Sequence, residues 1–252
     1  VARDLPLADQ QDFEDASRGL IASQQPLQVT SADGRTLWNM QDYAFIEGEA
    51  PDSVNPSLWR QAKLNNINGL FEVTKGIYQL RGFDLANISL IQGKTGWILV
   101  DPLTTAPTAR NALAFAREKL GPQKISAIIF THSHIDHFGG IDGVLDDSER
   151  QNVQIVAPQG FLEEASSENI LAGPTMQRRA QYMYGSRLPR SASGHVDTGL
   201  GKQPPLGGEI GIRAPTEIIN KTGQTLVIDG VEMLFQYTPG SEAPAELTFY
   251  MP

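Results

Sequence analysis

Residues 131–140 read THSHIDHFGG, and they place three of the chain's four histidines, with an aspartate, in the six positions from His132 to His137. The segment just before it, 124-KISAIIFTH-132, is apolar and short, which predicts a buried strand. In an extended chain, residues two apart point to the same side. A buried strand running into His132-Ser133-His134 therefore delivers two imidazoles to one place at the edge of a sheet. Two ring nitrogens can share one zinc-type cation at about 2.0–2.1 Å each. Asp136 and His137 follow where the chain turns, so they face elsewhere and suit a second cation close by. A pair of ions about 3.5–4 Å apart can activate water and polarise a substrate oxygen. Asp136 is also a candidate catalytic proton acceptor, since it would lie beside that water. Gly139 and Gly140 allow the backbone to turn and to approach its neighbours closely. The plainer reading is a histidine-rich surface tract, but such a tract has no reason to follow an apolar strand.

The chain around this segment has 252 residues, 40 % of them hydrophobic, enough for a packed core. Its formal net charge is −9, which argues against a nucleic-acid surface. It does not argue against an anionic small substrate, because a bound cation can dominate locally. With no cysteine, disulfides, cysteine zinc sites and thiol nucleophiles are excluded. Such a chain suits a periplasmic or secreted location, and the cytoplasm is permitted too. No run of about 18 apolar residues is present, so no membrane span is expected. The start, VARDLPLADQQ, has no apolar stretch of the kind a signal peptide carries.

The rhythm of the chain predicts a layered α/β protein. Residues 9–21 place Phe13, Ala16, Leu20 and Ile21 at helical spacing. Two short strands follow around Asp33-Gly34, then a polar loop over 41–56, then a short helix capped by Asn55 with Pro56 in its first turn. Residues 1–68 read as an extension packing on a main domain of 69–252. That domain opens with antiparallel strands around Lys75-Gly76 and Gly93–Gly96. A helix over 107–120 comes next, ended by Gly121, and then the histidine strand. VQIVAP is a further strand, and helices are expected over GFLEEASSENIL and PTMQRRAQYMYGSRL. A hairpin turning at Asp229-Gly230 and a strand in ELTFYMP close the chain. Antiparallel strands, then strand–helix alternation, then strands again predict a mixed sheet with helices outside.

THSHIDHFGG has the form of the H-x-H-x-D-H signature of the metallo-β-lactamase superfamily, which it resembles. WILVDP, ending in Asp101, is similar to that superfamily's first motif. The resemblance gives Asp101 the task of hydrogen-bonding and orienting the metal loop; a plain helix cap is the other reading. YTPGSEAPAE falls where the superfamily usually carries T-P-G-H-T-x-G, and the usual histidine ligand is replaced by Ser241 and Glu242. A glutamate there resembles the alkylsulfatase branch, enzymes similar to the bacterial dodecyl sulfate hydrolases. The segments RGFDLANISLIQGKTGWILVDPL and RRAQYMYGSRLPR also look like that branch.

The resemblance implies an αββα sandwich, present as its N-terminal part plus the extension. It implies two zinc ions per site, held by His132, His134, Asp136, His137 and Glu242, with Glu246 the less favoured acid. It implies hydrolysis of alkyl sulfate esters, dodecyl sulfate among them, to alcohol and inorganic sulfate by metal-activated water. Two further ligands, an acid and a later histidine, would have to come from a C-terminal remainder of the protein, either as a separate chain or as residues beyond this sequence. In that family a helical dimerisation region follows, so a homodimer is expected. For the substrate, Tyr184 and Arg187 are the candidates, from a cluster of Arg178, Arg179, Arg187 and Arg190 around Tyr182, Met183 and Tyr184. An ordinary solvated basic face is the better explanation of any single one of these arginines. His195, in a glycine- and serine-rich stretch, reads as a loop histidine with a small claim to substrate contact. The rival readings are a lactam, thioester or phosphodiester hydrolase of the same fold, a non-catalytic metal-binding scaffold, and an iron redox enzyme.

Overall fold

The computed structural model describes residues 5–145, 150, 152–205 and 207–252. In chain order the elements are α1 (Gln11–Ser17), β1 (Leu20–Ala22), β2 (Gln28–Thr30), β3 (Thr36–Asn39) and α2 (Pro56–Leu64). Then come β4 (Gly69–Thr74), β5 (Ile77–Arg81), β6 (Ile88–Gln92), β7 (Trp97–Val100), α3 (Ala106–Leu120), β8 (Ile125–Ile129) and α4 (Ile141–Val144). The rest are β9 (Gln154–Pro158), α5 (Phe161–Ser166), α6 (Gly173–Tyr184), β10 (Glu217–Ile219), β11 (Gln224–Ile228), β12 (Val231–Tyr237) and β13 (Leu247–Tyr250).

Among the described residues eight strands form one mixed sheet in the order β1-β4-β5-β6-β7-β8-β9-β10. The first half is antiparallel, as tight hairpins dictate. From β7 onward the pairs β7–β8, β8–β9 and β9–β10 are parallel, which demands long crossovers. The first crossover is α3. Thr105 caps it by accepting from the Thr108 N–H, and a proline sits in its first turn. Its buried residues Ala109, Ala112, Leu113 and Ala116 fall three and four apart, so one stripe faces the sheet.

That face of the sheet carries one core. Leu80, Leu90, Leu99 and Ile128 from the strands meet the α3 stripe and Phe161 of α5. The opposite face carries a second core, where Ile98, Val100, Ala127 and Ile129 meet Met233, Phe235 and Leu247 of a three-stranded sheet, β11-β12-β13. The layers are therefore helix, sheet, sheet. A strand buried on both faces calls for a near-continuous apolar run, and β8 has one apart from Ser126, whose hydroxyl donates to the Trp97 carbonyl.

The first 68 residues are joined to this body by strand pairing and by buried polar groups. β1 adds antiparallel to β4, and the Trp38 indole N–H donates to the Gly82 carbonyl. Leu20 and Ile21 thus lie in a strand, not in the helix their spacing suggests, since Gly19 stops α1 in a positive-φ conformation. β10 carries no period of its own in the sequence, and its three residues are recruited by the parallel edge of β9. The segment PTMQRRAQYMYGSRL forms α6 as expected, but a π-helical turn over Ser167–Leu171 separates it from α5.

His195 lies in a loop, as expected, but a buried one. Its Nδ1 meets the Tyr43 hydroxyl at 3.2 Å. The same hydroxyl accepts from the Gln203 N–H, so Tyr43 ties His195 to the Gln203 backbone. Beside it, Lys202 Nζ donates to the Ala62 carbonyl at 2.9 Å and to Asp197 Oδ2 at 3.0 Å, and it lies over the Tyr43 ring. Asn65 and the Gly199 N–H complete the Asp197 carboxylate. This cluster fastens residues 195–203 to the N-terminal segment. Burial pushes the Lys202 ammonium down, and Asp197 opposes it.

A second buried carboxylate fixes the loop after β7. Asp84 accepts from Thr108 Oγ1 at 2.6 Å, Thr104 Oγ1 at 2.7 Å, the Leu85 N–H and the Thr104 N–H. Burial nonetheless outweighs those bonds and pushes Asp84 up to about 6.

Two outcomes are expected in the complete polypeptide. Asp197→Ala should lower the unfolding free energy by about 3–5 kcal/mol in denaturant melts, because it strands a buried ammonium; replacing both partners by apolar residues should cost less. A loss below about 1 kcal/mol for the single variant contradicts the cluster. For Asp84, the folded state holds the proton more tightly than the unfolded chain. Its stabilisation is complete below its ordinary value of 3.8 and is lost as pH rises through about 6. Relative to Asp84→Asn, the wild type should therefore lose roughly 3 kcal/mol between about pH 3.5 and about pH 7. A difference that stays flat over that range contradicts it.

Candidate metal centre

The site forms where β8 ends and the second sheet comes alongside. The Leu247 N–H donates to the Thr131 carbonyl, and His132 pairs with Glu246 in an isolated antiparallel bridge. The strand after the TPG turn is thus stitched to the first residues of the histidine segment. This explains how residues more than a hundred positions apart come to one spot.

His132 and His134 stand with ring centroids 4.8 Å apart, as their alternation predicts. Glu242 completes a triangle: its Oε1 lies 4.0 Å from His132 Nε2 and 3.8 Å from His134 Nδ1. One ligand atom from each of the three residues falls within a span of 4.8 Å. A cation at zinc distance from all three would sit inside that span. His132 Nε2 is buried with no hydrogen-bond partner, an orphan that a metal would satisfy. Burial and the neighbouring His137 push the His132 imidazole down, toward the neutral form that ligates. The donor set therefore fits a divalent ion.

Asp136 and His137 lie on a short 3₁₀ turn, Ile135–His137, and face each other at 3.4 Å from Asp136 Oδ2 to His137 Nε2. The other nitrogen, Nδ1, is 2.9 Å from Asp101 Oδ2. Burial disfavours a charge on His137, but Asp101 and Asp136 outweigh it and push the imidazole up to about 10. A pocket that holds a proton this firmly is tuned for positive charge. Asp136 in turn is resisted by burial but held below the usual carboxylate range by His137. In the structure the pair is an aspartate–histidine contact beside the His132–His134–Glu242 cluster.

Asp101 is the hinge of the arrangement. Besides His137, it accepts from the Thr131 N–H at 2.9 Å and the Thr131 hydroxyl at 2.6 Å. It does not cap α3; Thr105 does that. Asp101 and Leu103 both have positive φ, a conformation that non-glycine residues rarely adopt. The histidine loop packs hard against this turn. A Cβ on Gly139 would strike the Thr104 carbonyl oxygen, and one on Gly140 the Pro102 carbonyl oxygen. The two glycines are there for close approach.

Glu246 is otherwise engaged. Its carboxylate accepts from the Ser241 hydroxyl, the Glu242 N–H and the Ala243 N–H, closing the turn that presents Glu242. Burial opposes its ionisation, but these bonds hold Glu246 below the usual range.

A cavity of about 440 Å³ opens from the site. Its lining combines His134, Asp136 and Glu242 with Met176, Ala180, Met183 and Tyr184 of α6 and with Leu85 and Leu200. Tyr184 is where the sequence suggests. The arginine in this lining is Arg179, not Arg187, because Arg187 lies past the end of α6 at Gly185. Glu168, also in the lining, is a residue the sequence reading passes over. Only the π-helical turn that carries it marks it out.

Comparison with known proteins agrees with this geometry. The sequence model of the Metallo-beta-lactamase superfamily matches residues 81–149. The chain is 46 % identical over its whole length to the "Alkyl/aryl-sulfatase BDS1" of Saccharomyces cerevisiae, covering 39 % of that protein. It is 47 % identical, again over its whole length, to an "(R)-specific secondary-alkylsulfatase" of a Pseudomonas species, covering 38 % of it. The solved structure of a stereoselective inverting sec-alkylsulfatase from Pseudomonas superposes with a TM-score of 0.94 at 47 % identity, over 99 % of this chain and 40 % of that one. The chain thus spans about two fifths of the length of these relatives. Residues 81–149 thus match the metallo-β-lactamase superfamily, and the whole chain is similar to the corresponding part of alkylsulfatases.

Proposed function

We propose that the protein carrying this chain hydrolyses alkyl sulfate esters to the alcohol and inorganic sulfate, using two zinc ions. The observation that carries this reading is the lining of the cavity. It joins a cation-binding cluster of His132, His134 and Glu242 to a wall of Met176, Ala180, Met183, Leu85 and Leu200. An alkyl sulfate is built the same way, with one anionic head and one apolar tail. The names of the relatives support the same substrate class.

In this reading His132, His134 and Glu242 hold one ion. Asp136 and His137 contribute to a second, with the remaining ligands coming from outside this chain. A bound divalent ion supplies Lewis acidity toward ester oxygens and lowers the pKa of water. The chain's own residues do the rest. Arg179 is placed to pair with a sulfate oxygen, which matters in a protein of net charge −9. The α6 wall takes the alkyl chain; Met183 and Leu200 stand exposed at its rim, as a mouth for an apolar substrate requires. Asp136, kept ionised by His137, is the proposed proton acceptor for the attacking water. Asp101 orients His137 and secures Thr131. No helix among the described residues is long and apolar enough to cross a membrane. A periplasmic or secreted setting remains part of the proposal, since detergents are met there.

The test is sulfate release from dodecyl sulfate by the complete polypeptide, with metal counted per chain. Two zinc ions are expected. Chelation should abolish turnover and zinc should restore it. His134→Ala and Glu242→Gln should each lose one ion and lower turnover by roughly a hundredfold or more. Full activity in metal-free protein contradicts the mechanism. Hydrolysis of lactams or phosphodiesters in place of alkyl sulfates contradicts the substrate class.

A further inference from the structure

His134 has a carboxylate on each side of its ring. Nδ1 lies 3.8 Å from Glu242 Oε1, within the ligand cluster. Nε2 points the other way and lies 3.7 Å from Glu168 Oε2. A neutral imidazole ligates through one nitrogen and carries its proton on the other. Which nitrogen does which is set by what the N–H can reach. Here the two sides differ: Glu242 sits with His132, whereas Glu168 is not part of that group.

We propose that Glu168 is a positioning residue that accepts the Nε2–H of His134 and so commits Nδ1 to the ion. This rests on the metal reading of the site given above. Such a carboxylate fixes the ring's tautomer and angle and makes its ligating nitrogen more basic. At 3.7 Å the Glu168 oxygen is within a small side-chain adjustment of hydrogen-bonding range of Nε2. Contacts of this kind are loose in a site that is not engaged and tighten when it is.

The backbone that carries Glu168 supports the assignment. Ser167–Leu171 is π-helical, a rare turn that widens the coil by one residue and recurs at functional sites. The turn is itself anchored, since Asn169 Nδ2 donates to the Ala165 carbonyl at 2.8 Å. Glu168 and Asn169 both line the cavity wall next to His134. The two side chains are buried to a similar degree, 28 % exposed for His134 and 27 % for Glu168, so water competes only in part. Chemistry points the same way. A free carboxylate on the wall of a pocket for an anionic head would repel its substrate. A carboxylate bonded to a metal-held imidazole has much of its charge offset.

The experiment compares wild type, Glu168→Gln and Glu168→Ala as complete polypeptides. Zinc affinity is read by competition with a chromophoric chelator, and histidine tautomers by ¹⁵N NMR of the zinc-loaded protein. Glu168→Ala should weaken one zinc by about 10–100-fold and remove the hydrogen-bonded Nε2–H signal of His134. Glu168→Gln keeps an acceptor oxygen and should restore most of the affinity and the signal. A merely structural role would not produce that rescue together with that signature. Wild-type affinity in Glu168→Ala overturns this proposal alone, as does a Gln variant as weak as Ala. A wild type that binds no zinc overturns the metal reading and this proposal with it.

Discussion

One carboxylate holds the site together. Asp101 leaves a buried strand and, in a strained backbone conformation, takes hydrogen bonds from Thr131 and His137 of the next strand's loop. β7 and β8 are parallel neighbours, so their C-terminal ends fall side by side. In open parallel sheets, ligands bind outside those ends, where the loops meet. Polar groups crowded there must be paired. Asp101 pairs three of them at once and so ties the histidine loop to the end of β7.

The rest of the architecture serves that edge. α3 and the two glycines press the loop from one side. The second sheet, pinned through Leu247 and the Glu246 bridge, brings Glu242 from the other. Glu246 closes the turn that makes this possible, so the two glutamates divide the work: one builds the turn and the other faces the histidines. The N-terminal segment contributes at a distance. Its Tyr43 and Ala62 grip His195 and Lys202, and the gripped stretch carries Leu200, which lines the cavity.

Much of this was legible in the sequence, for reasons that are local. The strand leading to His132 declared itself by its apolar run, and His-x-His by its period of two. Asn55 and Thr105 mark helix starts because caps act within one turn. The resemblance to the superfamily supplied Asp101 and Glu242. What could not be read depends on distance in the chain. Leu20 and Ile21 carry a helical spacing but are claimed by the edge of β4. The burial of His195 is set by Tyr43, some 150 positions earlier. Arg179 rather than Arg187 reaches the cavity because α6 ends at Gly185, and no charge count shows which side of a helix meets a pocket. Glu168 was hidden in an ordinary acidic helix pattern and stands out only through the π turn.

The metal site stands or falls with the convergence of His132 Nε2, His134 Nδ1 and a Glu242 oxygen on one point. Anomalous diffraction at the zinc edge, from crystals of the complete polypeptide grown with zinc, tests that most directly. A peak bonded to those three atoms, with a second beside Asp136 and His137, is the predicted result. A zinc peak elsewhere, with the three side chains turned apart and bound only to water, would contradict it.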